Sequence, residues 1–268
     1  MKTFTVTKQQ KISKEILANV EGLSYAAIMK LIREKDVKVN GVRVKTDSTV
    51  NIGDIITVYN KGETLPTIRK IYEDAAVLVV GKPSGVLSEA FYRTLKNDYG
   101  ELYFIHRLDR NTSGVMIFAK TPDAEEELIE GFKRHKFDKK YLAEVYGIPE
   151  KDQAILTAYL KKDAGNSLVR IYDKATEGST PIKTGYKIIE KYGDTSLLEV
   201  TLYTGKTHQI RAHLSHIGHF VVGDGKYGDN RFNKSKKATT QRLTAYSLTV
   251  RFDKNSPLHY LDGKVFKI

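Results

Sequence analysis

The sequence predicts an α+β fold, in which helices and a sheet pack around shared hydrophobic cores. The pair Asn40-Gly41 stands between alternating valines, which is typical of a tight β-hairpin. The apolar run 115–119 predicts a buried strand. Thr121-Pro122 directly after this run is typical of the start of a helix, so both kinds of element are predicted in one chain.

The composition is that of an ordinary globular chain. Its 268 residues are 40% hydrophobic and 28% charged, which fits one or two domains. No apolar run reaches the roughly 18 residues that a membrane span needs, and the N-terminus lacks the apolar stretch of a secretory signal. The absence of cysteine excludes disulfides, cysteine nucleophiles and thiolate metal sites. We expect a cytoplasmic, monomeric protein.

The charge of the chain is strongly basic and unevenly distributed. The formal net charge is +12, which indicates a polyanionic partner, with nucleic acid ahead of an acidic membrane surface. Residues 1–70 carry 13 lysines and arginines against seven acids, and residues 226–242 carry six basic residues against one acid. The alternative is a surface whose charge serves only solubility.

Residues 10–60 predict a small module of two helices followed by the hairpin. Ser13 and Ser24 are candidate helix N-caps. Ile16 and Leu17 are among the apolar positions expected to face the core. Residues 61–70 mix glycine, proline and charge and predict a linker. The basic side chains expected on the exposed face of the module are Lys30, Arg33, Lys35, Lys38, Arg43 and Lys45.

The helix predicted to begin after Thr121 is amphipathic. Ala124, Leu128 and Phe132 recur every four residues and should form its core-facing stripe. A long strand is predicted next, in which Tyr141 lies on one face with every second residue.

The stretch that carries chemistry precedes these elements. Asp109 is a single carboxylate among His106, Arg107 and Arg110, which are or can become cations, so we expect it to stay ionised. A charged acid on a loop held by a core strand suits a nucleophile or a general base. The alternative is a surface turn with a local ion pair.

Residues 106–114 read H-R-L-D-R-N-T-S-G, which resembles the signature of the RluA-type pseudouridine synthases. The resemblance extends to K-P-S-G at 82–85 and G-D-G-K-Y-G at 223–228. It implies an isomerase that converts uridine in RNA to pseudouridine without a cofactor or a metal. It also implies that residues 71–268 form the catalytic domain, a mixed, mainly antiparallel sheet flanked by helices.

The resemblance also implies roles for individual residues. Asp109 is the catalytic residue, which either attacks the anomeric carbon or removes a neighbouring sugar proton. Tyr141, in K-K-Y-L-A, packs on the target base, and Arg211, in G-K-T-H-Q-I-R, pairs with Asp109. Lys206 stands where the family usually has arginine, which keeps the charge but loses bidentate geometry. The residues expected to contact RNA are Arg107, His106, Arg110, Lys206, Lys30 and Arg33.

The expected partner is RNA, and no membrane partner is expected. The N-terminal module resembles the RNA-binding domain of ribosomal protein S-four, which favours ribosomal RNA of the large subunit over transfer RNA. A non-catalytic RNA-binding or ribosome-assembly protein is the alternative of another class. A glycosidase is less favoured because such enzymes use paired carboxylates. Four histidines within residues 208–219 indicate either a metal site or, as we favour, core hydrogen bonds and RNA-facing positions.

Overall fold

The structure is a computed structural model that describes residues 1–20, 23, 25–59, 68–163, 165 and 168–268. The chain divides into two compact units, Met1–Thr67 and Ile68–Ile268. Most of the predicted linker, and the predicted cap Ser24, lie outside the described residues. The last residues of that linker, from Arg69 onwards, already belong to a strand of the second unit.

The N-terminal unit contains the predicted order of helix, helix and hairpin. The turn residues Asn40 and Gly41 both have positive φ, 49° and 80°, as the predicted type I′ hairpin turn requires. The elements are β1 (Lys2–Thr5), β2 (Gln10–Lys11), α1 (Ile12–Asn19), α2 (Tyr25–Arg33), β3 (Val37–Val39), β4 (Val42–Arg43), β5 (Thr49–Val50) and β6 (Ile55–Val58). A four-stranded antiparallel sheet has the order β1-β6-β3-β4, and β2 pairs with β5.

Two details of the first helix differ from the prediction. Ser13 is not the N-cap but lies within the first turn, where its N–H and hydroxyl both donate to the Asp47 carboxylate. The helix therefore begins at Ile12, two residues earlier than a cap at Ser13 would place it. Ile16 is buried as expected, whereas Leu17 is 51% exposed because it points away from the core. The unit itself begins before residue 10, since β1 pairs along β6.

The second unit is organised around one large sheet. Within the described residues this sheet has eleven strands. Its pairings are antiparallel apart from that between β10 (Ser113–Ala119) and β16 (Leu243–Thr249). The predicted mixed, mainly antiparallel fold is therefore confirmed. Its elements are β7 (Arg69–Glu73), β8 (Val77–Lys82), α3 (Ser88–Tyr99), β9 (Tyr103–Phe104), β10 (Ser113–Ala119), α4 (Pro122–Lys133), β11 (Asp138–Tyr146), β12 (Gln153–Asp163), β13 (Leu168–Tyr172), β14 (Thr180–Tyr192), β15 (Thr195–Leu202), α5 (Gln209–His216), α6 (Asn230–Ser235), β16 (Leu243–Thr249) and β17 (Val265–Lys267).

Successive residues of β8 face opposite sides of the sheet, and a separate core lies on each side. Val80 belongs to the core that also contains Leu95 of α3 and Leu214 of α5. Val79 belongs to the other core, to which α4 contributes Leu128. All five side chains are fully buried, so the helices are held to the sheet by apolar packing on both faces.

Helix α4 begins as the sequence predicts. The Thr121 hydroxyl accepts a hydrogen bond from the Ala124 N–H at 3.2 Å, and Pro122 is the first helical residue. Among the described residues, the helices are all too short or too polar to span a lipid bilayer.

The parallel pairing of β10 with β16 depends on Gly114. This glycine has φ +130°, and a Cβ added to it would lie 2.3 Å from the carbonyl oxygen of Ala245. No side chain fits between the two strands at this point. The loop that carries Asp109 therefore leads into β10 where the backbones of β10 and β16 lie close together.

Candidate active site

The loop that carries Asp109 connects β9 to β10 and is anchored on either side of the aspartate. Before it, the Ser88 hydroxyl donates to the Leu108 carbonyl at 2.9 Å and accepts from the Leu108 N–H at 3.0 Å. After it, the Thr112 hydroxyl accepts from the buried Gln241 amide at 2.9 Å. These bonds hold the loop on both sides of the aspartate.

The K-P-S-G loop, residues 82–85, supports the loop that carries Asp109. The buried ammonium group of Lys82 donates to the carbonyls of Pro83, Val86 and Arg110, at 2.9, 2.8 and 3.2 Å. Burial lowers the pKa of Lys82 to about 8, although the negative charge of Asp109 works against this shift. Lys82 thus links the K-P-S-G loop to the loop that carries Asp109.

The Asp109 carboxylate is paired with an arginine from helix α5. Nη1 of Arg211 donates to Oδ2 of Asp109 at 2.9 Å. Nε and Nη2 of the same guanidinium donate to the two oxygens of Asp224, at 2.7 and 2.9 Å. Asp224 therefore holds one edge of the guanidinium in a bidentate pair and leaves the remaining nitrogen directed at Asp109.

The electrostatics of this group favour ionised side chains despite burial. Burial alone opposes the charge of Arg211, but the hydrogen bonds and charges of Asp224 and Asp109 outweigh it and raise the pKa of Arg211. Burial would also raise the pKa of Asp224, yet the hydrogen bonds from Arg211 and from the N–H groups of Lys226 and Tyr227 lower it.

The cations next to Asp109 in the chain have other partners. Arg107 lines the same pocket but is exposed and pairs with Glu89 at 3.1 Å. Arg110 donates through Nε to the carbonyl of Gly85 at 3.0 Å, which makes it part of the loop scaffold. The cation that pairs with the carboxylate is instead Arg211, as the resemblance implies. Contact of Arg107 and Arg110 with RNA stays a prediction.

His106 is not a cation in this structure. Its ring stacks on Phe132, and its Nε2 accepts a hydrogen bond from the Ile117 N–H at 3.1 Å, which requires a neutral ring. Burial, and to a smaller extent the charge of Lys139, lower the pKa of His106 to about 3. His106 therefore packs the loop against α4 instead of adding charge beside Asp109.

Tyr141 closes one side of a pocket beside Asp109. It lies on β11 between β15 and β16 and is only 9% exposed. Burial and the nearby charge of Asp109 raise its pKa, so the phenol stays neutral. The pocket encloses about 150 Å³. This volume is below the range of roughly 300–1,000 Å³ that drug-sized ligands need, so it suits a single small ring. Other lining residues are Leu108, Thr112, Leu202, Ile210, Arg211 and Leu243.

The remaining residues predicted to contact RNA fall into two groups. Lys206 is exposed at the pocket wall, and its N–H donates to the Gln209 side chain at 3.1 Å. Lys30 and Arg33 lie in the last turn of α2, in the N-terminal unit, and both are exposed. Their contact with RNA stays a prediction.

Two residues at the site have no role in the prediction from sequence. Asp224 lies within G-D-G-K-Y-G, and its link to Arg211 forms only in three dimensions. His208 lies at the N-terminus of α5, where its Nε2 is 4.0 Å from Oδ2 of Asp109. The one signal for both residues is that each is a polar residue within a motif that resembles the family.

The histidines of residues 208–219 have separate partners. His213 binds the Thr184 hydroxyl at 3.0 Å, His216 binds Asp173 at 2.8 Å, and His219 binds the carbonyl of Tyr146 at 2.9 Å. In the part of the chain that the structure describes, no group of histidines and acids is arranged to hold a metal ion.

Comparison with known proteins agrees with this geometry. The profile of the family described as RNA pseudouridylate synthase matches residues 76–216. The ribosomal large subunit pseudouridine synthase C of Haemophilus ducreyi is 32% identical, over 93% of this chain and 87% of the relative. The protein of the same name from Pasteurella multocida is 31% identical, over 94% of this chain and 86% of the relative.

A solved structure shows the same fold. The human protein named RNA pseudouridylate synthase domain containing 1 superposes with a TM-score of 0.63 at 24% identity, over 78% of this chain and 92% of its own. At that identity the likeness concerns the fold alone. The family match and the relatives confirm the enzyme class that the sequence predicts. The chain belongs to the RNA pseudouridylate synthase family.

Proposed function

We propose that this enzyme converts specific uridines of large-subunit ribosomal RNA to pseudouridine in the cytoplasm. The names of its relatives support the ribosomal substrate, and the net charge of +12 favours a polyanion of this kind. Transfer RNA is the second choice. We propose that the enzyme acts as a monomer.

The reaction rearranges one nucleotide without oxidation or reduction. The bond between N1 of uracil and C1′ of ribose breaks, the base turns, and C5 forms a new bond to C1′. The proton leaves C5, and N1 takes up a proton, so the product is an isomer of the substrate. A base in structured RNA must first leave its stack, at a cost of a few kcal/mol. The pocket beside Asp109 is large enough for one such ring.

The arrangement of Asp109, Arg211 and Asp224 carries this proposal. Arg211 and His208 both approach Oδ2 of Asp109, at 2.9 and 4.0 Å. Among the described residues none donates a hydrogen bond to Oδ1, which is therefore the oxygen that can act at the ribose. In this role Asp109 has to be ionised and directed, and the arginine provides both.

Tyr141 and Arg107 would hold the substrate. A base stacked on the ring of Tyr141 gains about 1–3 kcal/mol in comparable nucleic-acid sites. Arg107 is 63% exposed and paired only at the surface, so it can leave Glu89 and fill the space of the extruded base or bind a phosphate. Lys206 would add a phosphate contact at the pocket wall.

The test is the variant Asp109→Asn on a large-subunit ribosomal RNA transcript labelled with tritium at C5 of uridine. We expect tritium release to fall below detection, while RNA affinity stays within about twofold, or 0.4 kcal/mol, because the carboxylate acts in the reaction and not in binding. Asp98→Asn, at the exposed end of α3, is the matched control and should keep full activity.

Two results would count against the proposal. Tritium release by Asp109→Asn at the wild-type rate would remove the aspartate from the chemistry. Release by the wild-type enzyme from transfer RNA alone would keep the chemistry and replace the ribosomal substrate.

A further inference from the structure

His208 occupies a constrained position between the pocket and a tyrosine. It is the residue before α5, its φ of 56° lies in the left-handed region, and its side chain is 13% exposed. Nδ1 lies 2.9 Å from the Tyr227 hydroxyl, and Nε2 lies 4.0 Å from Oδ2 of Asp109. One ring nitrogen therefore faces the protein and the other faces the catalytic carboxylate.

The hydrogen bonds of Tyr227 decide where the ring carries its proton. The N–H of Val169 donates to the Tyr227 hydroxyl oxygen at 2.9 Å, which leaves the single hydroxyl proton free to donate to Nδ1 of His208. The opposite arrangement would place a proton on Nδ1 and the lone pair of Nε2 against the Asp109 carboxylate. Because that contact is repulsive, the neutral ring carries its proton on Nε2.

Burial of the ring favours its neutral form. Burial is the main cause that lowers the pKa of His208, and the positive charges of Arg211 and Lys226 act in the same direction. The carboxylates of Asp109 and Asp224 oppose the shift, but both are already paired with Arg211. Near neutral pH, His208 thus presents an N–H donor and no positive charge to the pocket.

We propose that His208 is a catalytic residue that donates its Nε2–H to an oxygen of the target nucleotide. This inference rests on the proposed function. When the bond between N1 and C1′ breaks, its electron pair stays on the uracil and spreads to the carbonyl oxygens O2 and O4. A fixed N–H donor stabilises this charge more than it stabilises the uncharged substrate, and His208 keeps its proton throughout the step.

The first test compares two replacements of His208. Gln keeps an N–H at a similar reach, whereas Phe keeps the ring shape without a donor. Removal of one donor of this kind costs about 10²–10³ in rate. We expect His208→Phe to lower the single-turnover rate of pseudouridine formation about 100-fold, and His208→Gln to lose less than about tenfold. RNA affinity should change little in either variant.

The second test measures the tautomer without relying on activity. Two-bond ¹H–¹⁵N spectra of the full-length enzyme distinguish a proton on Nε2 from one on Nδ1. We expect His208 in the Nε2–H form in the wild type, and a mixture of both forms in Tyr227→Phe, which keeps the ring packing but loses the hydroxyl. The rate in Tyr227→Phe should fall in proportion to the lost Nε2–H form.

Either of two outcomes would overturn the inference. One is an Nδ1–H ring of His208 in the wild type, and the other is equal rates for the Gln and Phe variants at similar melting temperatures. A wild-type enzyme without pseudouridine activity on any RNA would instead refute the proposed function, while the spectra would still report the tautomer.

Discussion

At the scale of single residues, the site depends on one guanidinium that binds two carboxylates. Asp224 is fully buried, and its two oxygens hold Nε and Nη2 of Arg211. The backbone N–H groups of Lys226 and Tyr227 complete its hydrogen bonds. An arginine without this partner could rotate about its long side chain. Asp224 is thus a positioning residue, which acts on Asp109 through Arg211.

The variant Asp224→Asn tests this arrangement. The amide keeps the shape but loses the charge and one acceptor, so Arg211 remains buried with a single carboxylate. Breaking a buried pair costs about 3–5 kcal/mol, and we expect the free energy of unfolding in urea to fall by about 3 kcal/mol. Single-turnover rates should fall at least tenfold while RNA affinity is kept, because Arg211 no longer fixes Asp109.

Asp229→Asn is the matched control for this variant. Asp229 caps α6 at the surface, and asparagine caps a helix about as well as aspartate, so both rate and stability should be nearly unchanged. Equal behaviour of the two variants would contradict a positioning role for Asp224.

Reasoning from the sequence selected the candidate site residues better than their surroundings. Asp109, Arg211 and Tyr141 stand in motifs that resemble those of the family, and the structure brings all three to one pocket. His106 and Arg110 are not directed at Asp109, because neighbours along a loop point in different directions, and their contact with RNA stays a prediction. Contacts that join distant segments, such as that of Asp224 with Arg211, leave no local pattern in the chain.

At the scale of elements, β10 approaches β16 closely just after the loop that carries Asp109. A Cβ on Gly114 would meet the carbonyl oxygen and the nitrogen of Ala245 at 2.3 and 2.5 Å. Both are backbone atoms, so no flexible group can move aside. The parallel pairing of β10 with β16 therefore requires a glycine at this position.

Gly114→Ala should separate β10 from β16 and displace the adjoining loop. We expect the free energy of unfolding to fall by more than about 2 kcal/mol and the rate of pseudouridine formation to fall with it, because both overpacking and a positive φ act against alanine. Urea unfolding and tritium release measure the two effects. Gly225→Ala, where a Cβ would meet nothing within 4 Å, should keep its stability. A stable, active Gly114→Ala enzyme would disprove the requirement.

The order of strands could not be predicted from the sequence, although many strands could. Helix α4 and the hairpin have local signals, in Thr121-Pro122 and Asn40-Gly41. The pairing of β10 with β16 joins residues more than 100 positions apart, and no local propensity encodes such a register. Ser13 shows the converse, since a residue with high capping propensity is used instead to bind Asp47.

Helix α2 is predicted to contact RNA through its last turn, where Lys30 and Arg33 are exposed. The double variant Lys30→Ala/Arg33→Ala should reduce the slope of log affinity against log salt by about one to two. Binding releases counterions at each phosphate contact, so fewer counterions are released when contacts are lost. Filter binding of the ribosomal transcript between low and high salt measures this slope. The exchange Lys30→Arg/Arg33→Lys keeps both charges and should keep the slope. An unchanged slope in the alanine variant would separate α2 from the RNA.

At the scale of the whole molecule, burial keeps two histidine rings of the second unit neutral, that of His213 and that of the partly exposed His106. His213 is 1% exposed and hydrogen-bonded to Thr184, and burial followed by the charge of His216 lowers its pKa to about 4. The pKa of His106 is lowered in the same way. In the unfolded chain both would titrate near 6.5. The stability of the unit therefore depends on keeping both rings free of protons.

The sign of the pH dependence follows from these directions. Between pH 6.5 and 4 the unfolded chain binds a proton that His213 in the folded chain does not. Its contribution to the free energy of unfolding is thus complete above pH 6.5 and is lost as the pH falls towards 4. From pH 7 to 5 the loss from His213 is at most about 2 kcal/mol, at 1.4 kcal/mol per unit.

His213→Asn keeps an acceptor for Thr184 without a titrating ring, so its unfolding free energy in urea should fall less over this range, by that difference. The exposed His259→Asn should retain the wild-type dependence, and identical pH profiles for wild type and His213→Asn would show that the buried ring does not control acid stability.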